Sequence, residues 1–151
     1  MTAFPQVTYP AFTSVTMPAG YQSLANLASI LSTGVIDNTE SNGKAYDVIV
    51  LEIILGSYNP TGIPIFDAAL IPSYDLTNYP TIVGTTFPLG SNSYPVASCY
   101  LDAGTSTKRG YIKFFDCDPI KYKVCVRNST NATLAASGNT VGWSGTLRQT
   151  R

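Results

Sequence analysis

The chain has 151 residues, about one domain, and 44% of them are hydrophobic, enough for a sizeable core without disulfides or metals. Only 12% are charged and the net charge is zero, so nothing overall draws the chain to nucleic acid or to an anionic membrane. There is no histidine, which excludes Ser-His-Asp and Cys-His catalysis, most catalytic zinc sites and the usual general base.

The charges are unevenly spread. Residues 1–107 hold one base, Lys44, against seven acids, whereas 108–151 hold eight bases against Asp116 and Asp118. Such halves either pair between chains or mix within one folded chain. Cys99, Cys117 and Cys125 form no C-x-x-C, and an odd count argues against a secreted disulfide scaffold, so reduced, buried thiols are expected. The N-terminus has no basic n-region. The longest apolar run, Val48 to Leu55, is broken by Glu52 and is too short for a membrane helix. The expectation is a soluble protein made without a signal peptide in a reducing cytoplasm.

In chain order, residues 1–20 are uncharged and place an aromatic before proline in Phe4-Pro5 and Tyr9-Pro10, followed by Phe12. Proline fixes φ and deletes a donor, which rules out a helix or an inner strand and predicts an extended arm. Phe4, Pro5, Tyr9, Pro10 and Phe12 are its candidate partner-binding residues, to be covered by a partner or by the chain's own sheet. Residues 21–151 are expected to form a single domain. Within it, 21–36 has helical spacing at Leu24, Leu27, Ala28 and Leu31, yet Ser29, Ser32, Thr33 and Gly34 favour turn or strand, and both readings stay open. Residues 37–44 read as a turn.

From Ala45 the strand signals are strong. AYDVIVLEIIL puts Asp47, Ile49, Leu51, Ile53 and Leu55 on one face and Tyr46, Val48, Val50, Glu52 and Ile54 on the other, predicting a central strand covered on both sides. IFDAALIPS is a second strand, between the loops GSYNPTGIP and YDLTNYP. TIVGTTFPL and SYPVASCYL read as strands that their prolines push toward sheet edges. RGYIKFFD and IKYKVCVRN form a hairpin, with Tyr122, Val124 and Val126 facing opposite to Lys121, Lys123, Cys125 and Arg127. Two short strands in STNATLAASGNTVGWSGTLRQTR close the chain. Short strands at this spacing predict an all-β fold: an antiparallel β-sandwich or jelly roll with an extended N-terminal arm.

Chemistry-bearing groups are few. Asp116 and Asp118 on one strand face would stand about 7 Å apart, near the separation of an inverting glycosidase, and a polar turn beside Pro119 is the plainer reading. One D-x-D offers too few oxygens for calcium, there is no phosphate-cradling glycine loop, and no cofactor is expected. Asn128-Ser129-Thr130 and Asn131-Ala132-Thr133 match the glycosylation sequon and are read as loop residues. Lys113, Lys121, Lys123 and Arg127 are candidate electrostatic contacts, without the interleaved aromatics that nucleic acid prefers. Trp143 and the tyrosines of SYNPTG and YDLTNYP are candidates for glycan contact.

Two stretches carry a resemblance. SLANLASILSTGVIDNTESNGKAYDVIVLEIIL, continuing into SYDLTNYP, and the closing YKVCVRNSTNATLAASGNTVGWSGTLRQ resemble a group of small tailed-bacteriophage virion proteins. In these an Asp-Asn turn precedes a long apolar strand after an aspartate, here Asp47, and an L-A-A-S-G-N turn precedes the final strand. The proline-rich arm and the loop GSYNPTGIP depart from that pattern. The resemblance implies a structural virion protein, assembled in the host cytoplasm and not an enzyme. The expected role is a capsid cement (decoration) protein across junctions of the major capsid protein, forming a homo-oligomer such as a trimer. The alternatives are a tail, neck or fibre-adaptor component, or a glycan- or receptor-binding module on a tail tip. Its partners are then virion proteins and copies of itself, with neither nucleic acid nor membrane.

Overall fold

Period-two alternation governs the long strands. In a computed structural model, which describes residues 11–40, 45–80, 87–88, 94–102 and 104–146, the strands are β1 (Thr13–Val15), β2 (Ser29–Leu31), β3 (Ile36–Asp37), β4 (Val48–Leu55), β5 (Ile65–Ser73), β6 (Val96–Tyr100), β7 (Lys108–Phe115), β8 (Lys121–Ser129) and β9 (Thr140–Thr146). They form two antiparallel sheets packed as a β-sandwich: sheet one in the order β1-β9-β4-β7, and sheet two in the order β2-β8-β5-β6 with β3 also on β8. The chain pairs from both ends inward: β1 with β9, β2 and β3 with β8, β4 with β7, and β5 with β6.

The core lies between the sheets. Ile49, Leu51, Ile53 and Leu55 of β4, with Ile112 and Phe114 of β7, meet Phe66, Ala68 and Leu70 of β5 and Tyr122, Val124 and Val126 of β8. Fully burying each large side chain contributes about 1.5–3 kcal/mol before ordering costs. At one margin β6 lies over β7, where a Cβ on Gly110 would stand 2.7 Å from both Cys99 Sγ and Leu101 Cδ2. Only glycine admits that approach.

Buried asparagines latch the loops at the sandwich ends. Asn128 Nδ2 donates to the carbonyls of Leu24 and Ala132, and Asn38 Nδ2 to those of Tyr46 and Asp118. Asn139 Oδ1 accepts from the Gly56 amide. Such groups satisfy backbone atoms that turns leave unpaired inside. Asn128 therefore sits fully buried in β8, where the sequence reading had a loop residue.

Several expectations change in the folded chain. Residues 21–36 carry no α-helix: Ser23 and Leu27 take positive φ (63° and 62°), which breaks helical geometry, and the stretch holds β2 and the start of β3. The second half of the expected arm lies on the chain's own sheet, with β1 as an edge strand on β9 and Val15 buried. Phe4, Pro5, Tyr9 and Pro10 lie outside the described residues, as does most of TIVGTTFPL. Of the two closing strands, one, β9, falls within the described residues. Pro72 sits inside β5 without breaking it. Leu70 donates to Pro95, so the even residues of β5 face the β6 side, and pairing with β6 ends at Ala69. The missing donor of Pro72 thus points where, among the described residues, no ladder partner stands.

Candidate functional site

The outer face of sheet two is finished by the chain itself. Ala69, Ile71 and Cys125 pack beneath Phe87, with Leu31 and Tyr94 at the margin. Beside them Asp67, nearly buried, receives Arg127 Nη2 at 2.8 Å and Nε at 2.9 Å, Ser129 Oγ at 2.7 Å and Ser98 Oγ at 2.6 Å. The Arg127 guanidinium also lies 5.2 Å from the centroid of the Phe87 ring. Lys123 covers the Tyr79 ring at 4.9 Å, and Lys121 approaches Asp37 at 4.0 Å. A carboxylate taking this many donors is satisfied in place, and its ion pair rigidifies the face.

The outer face of sheet one is built differently. Register sets Lys113, Val50 and Ser144 in one row and Tyr111, Glu52 and Gly142 in the next. Gly142 presents no side chain here, and a Cβ at that position would come within 3.2 Å of Phe12 Cβ. Phe12 leans across the bare position until its ring centroid stands 5.9 Å from that of Tyr111, at an interplanar angle of 40°. The result is a groove of about 350 Å³ lined by Phe12, Val50, Tyr111 and Lys113. Tyr111 is 48% exposed and Phe115, farther along β7, 58%. The Tyr111 hydroxyl donates to Glu52 Oε1 at 3.2 Å, and Arg109 Nε approaches the same oxygen at 3.5 Å. The face thus sets the Tyr111 and Phe12 rings and Val50 beside the charged groups of Lys113, Glu52 and Arg109.

Phe12 and Lys113, singled out separately in the sequence, line this one groove. The four basic candidates do not meet. Lys113 stands on sheet one, whereas Lys121, Lys123 and Arg127 stand on sheet two, the last held by Asp67. Three bases of the C-terminal third pair with acids from earlier in the chain, in Arg127–Asp67, Lys121–Asp37 and Arg109–Glu52, so the two charge halves mix within the fold.

The other candidates also find their places. Asp116 and Asp118 lie in the turn between β7 and β8, with Asp116 at φ 54°, so they share no strand face. Trp143 packs edge-on to Tyr46 and against the core, and Tyr58 of SYNPTG is buried, leaving neither as an exposed platform. Tyr74 and Tyr100 do project, but Tyr100 on β6 stands opposite Ile65 at one end of β5 and Tyr74 follows the other end, about 30 Å away by strand rise. Burial pushes the thiols of Cys99 and Cys125 up to about 11, the former helped by the Asp67 charge, and raises that of Cys117 as well. All three stay protonated near neutral pH and make poor nucleophiles. Among the described residues no three His, Cys, Asp or Glu side chains gather to hold a metal ion, and no helix is long and apolar enough to cross a membrane. Sequence reasoning missed Tyr111, Val50 and Gly142 as site residues; the signal was the pairing register, which a single sequence does not print. Comparison of the chain with protein-family models, with curated proteins and with solved structures finds no match.

Proposed function

We propose that this chain is a non-enzymatic structural protein of a tailed-phage particle, a capsid cement protein that docks across junctions of the major capsid protein. The observation that carries the docking role is the outer face of sheet one, where the Tyr111 ring is about half exposed beside a groove walled by Phe12 and Val50, while the opposite face is covered internally. Rings held on a rigid sheet supply contact area at low entropic cost, and contact of this kind gains about 25 cal/mol per Å² of apolar area buried, before ordering costs. The inward pairing order supports reading the sandwich as a jelly roll, in which one long hairpin rolls up so that its outermost strands pair, as β1 and β9 do. That fold serves viral capsid and lectin domains. It is a fold-level analogy, and the open face is the site-level argument beside it.

Quantitative mass spectrometry of purified particles of the phage encoding the chain tests the proposal. Hundreds of copies per particle are the expected result. A few to a few dozen would move the protein to the neck, tail or fibre, and absence from particles would end the virion reading.

A further inference from the structure

We propose that β7 is a self-pairing edge: two copies of the chain join by antiparallel pairing of β7 with β7, centred on Ile112, so that sheet one of each copy continues into the other. The proposal does not depend on the virion role, and it leaves the outer face of sheet one uncovered.

The place of β7 in the fold is the first support. It is an end strand of sheet one, and among the described residues it pairs with β4 alone. At eight residues it is far longer than β1, the three-residue strand at the other end of the same sheet. β6 packs over its inner side at Gly110 without pairing with it. An end strand of that length is a template on which another strand can add, because backbone hydrogen bonds on its outer side are then completed between chains.

The side chains say which strand fits. β7 buries every second residue and exposes Arg109, Tyr111, Lys113 and Phe115, so base and ring alternate along one face. Basic residues on an edge strand ordinarily keep copies apart, since like charges meet. One register avoids that. With Ile112 opposite its own counterpart in the second copy, Arg109 stands opposite Phe115 and Tyr111 opposite Lys113, and the two-fold axis repeats both pairs. Directly opposite residues of an antiparallel pair are close enough to touch, and a cation is attracted to the face of a ring. Centring the pair on Tyr111 would set Arg109 against Lys113, and centring it on Lys113 would set that lysine against its own copy. Glu52, on β4 beside Arg109 and Tyr111, offsets part of the positive charge that the pairing brings together. The two-fold axis of such a pair runs perpendicular to the sheet, so both outer faces point the same way. Their grooves at Phe12 and Tyr111 then lie on one side of a sheet twice as wide.

Sedimentation equilibrium of the full chain, of Tyr111→Lys and of the exchange variant Tyr111→Lys, Lys113→Tyr reads both the pairing and its register. The intact chain is expected to show a reversible monomer–dimer equilibrium with a Kd of about 0.1 mM or tighter. Tyr111→Lys sets like charges opposite at two places and should weaken the dimer about tenfold or more. The exchange variant has the same composition and charge as the intact chain and sets ring opposite base again, so its Kd should return to within about threefold. An intact chain that stays monomeric to about 1 mM would overturn the proposal. So would a dimer that tolerates Tyr111→Lys or that the exchange fails to restore. Hydrogen exchange on the intact chain needs no variant: amides of β7 should slow as the concentration rises through the Kd, while those of β1 keep their rates. Unchanged β7 rates would place the contact elsewhere and overturn the proposal as well. No capsid enters either experiment, so failure here and failure of the virion role are separable.

Discussion

The two outer faces of the sandwich start alike, each a pleated surface with apolar residues in its middle, and end differently. Over sheet two the connection between β5 and β6 brings Tyr79, Phe87 and Tyr94 against the strands, and Asp67 gathers Arg127, Ser98 and Ser129 beneath them. Over sheet one Phe12 reaches in beside the edge strand, and the Tyr111 ring stays about half exposed. The covered face is tied to stability by its ion pair, the proposed docking role rests on the other face, and each can be broken by substitution.

The largest expected effect is at the covered face. Asp67→Ala leaves the Arg127 guanidinium under Phe87 without its carboxylate, and losing one partner of a buried pair costs about 3 kcal/mol. Replacing both, Asp67→Ala with Arg127→Met, should recover most of that loss, since no charge then remains buried. Chemical denaturation measures both. A double variant as unstable as Asp67→Ala would show that the face is held by packing around those positions and not by the ion pair.

Next in size is a pH effect, again on the covered side and in the core beneath it. Cys125 and Cys99 ionise in the folded chain at about 11, against 9.0 for an ordinary thiol, because burial disfavours the thiolate. A raised pKa means stability that is complete below pH 9 and drains away as the pH climbs through 11, about 2 kcal/mol for each thiol. The buried Tyr122 hydroxyl, also raised by burial, adds to the loss above pH 10. Denaturation midpoints should hold level to pH 9 and then fall. In Cys125→Ala the fall between pH 9 and 11 should shrink by about half of the thiol share. An unchanged fall would place the Cys125 thiol in contact with solvent.

What could be read from the sequence follows the same division. The long inner strands announced themselves: Ile65–Ser73 emerges with the bounds of the segment IFDAALIPS, and β8 turns Tyr122, Val124 and Val126 inward against Lys123, Cys125 and Arg127, as alternation requires. Edge strands did not. Thr13–Val15 is three residues long inside a proline-flanked stretch, and its strand character comes from β9 beside it rather than from its own composition. The leucine spacing in 21–36 imitated a helix because Leu24 enters the core from a loop while Leu27 turns out to solvent, 64% exposed. The groove was legible only in parts. Phe12 stood out as one of the arm's aromatics and Lys113 as one of four basic candidates, yet what joins them is a bare glycine on β9 and a register across four strands. Those facts belong to pairing, and no local window contains them.

The smallest effect on stability is expected where the largest effect on function lies. Tyr111→Ser and Phe115→Ser remove rings that are about half exposed. Each should shift unfolding by no more than about 0.5 kcal/mol, the usual range for exposed positions, apart from the weak hydroxyl contact of Tyr111 with Glu52, which serine is too short to make. Contact with a partner is another matter, because a ring buried at the centre of an interface commonly carries about 2 kcal/mol or more, some thirtyfold in affinity. Loading of the purified variants onto capsids lacking the protein, measured beside their denaturation curves, separates the two quantities. Variants that load normally would strip sheet one of its role, and variants that unfold readily would show the open face to be part of the core after all.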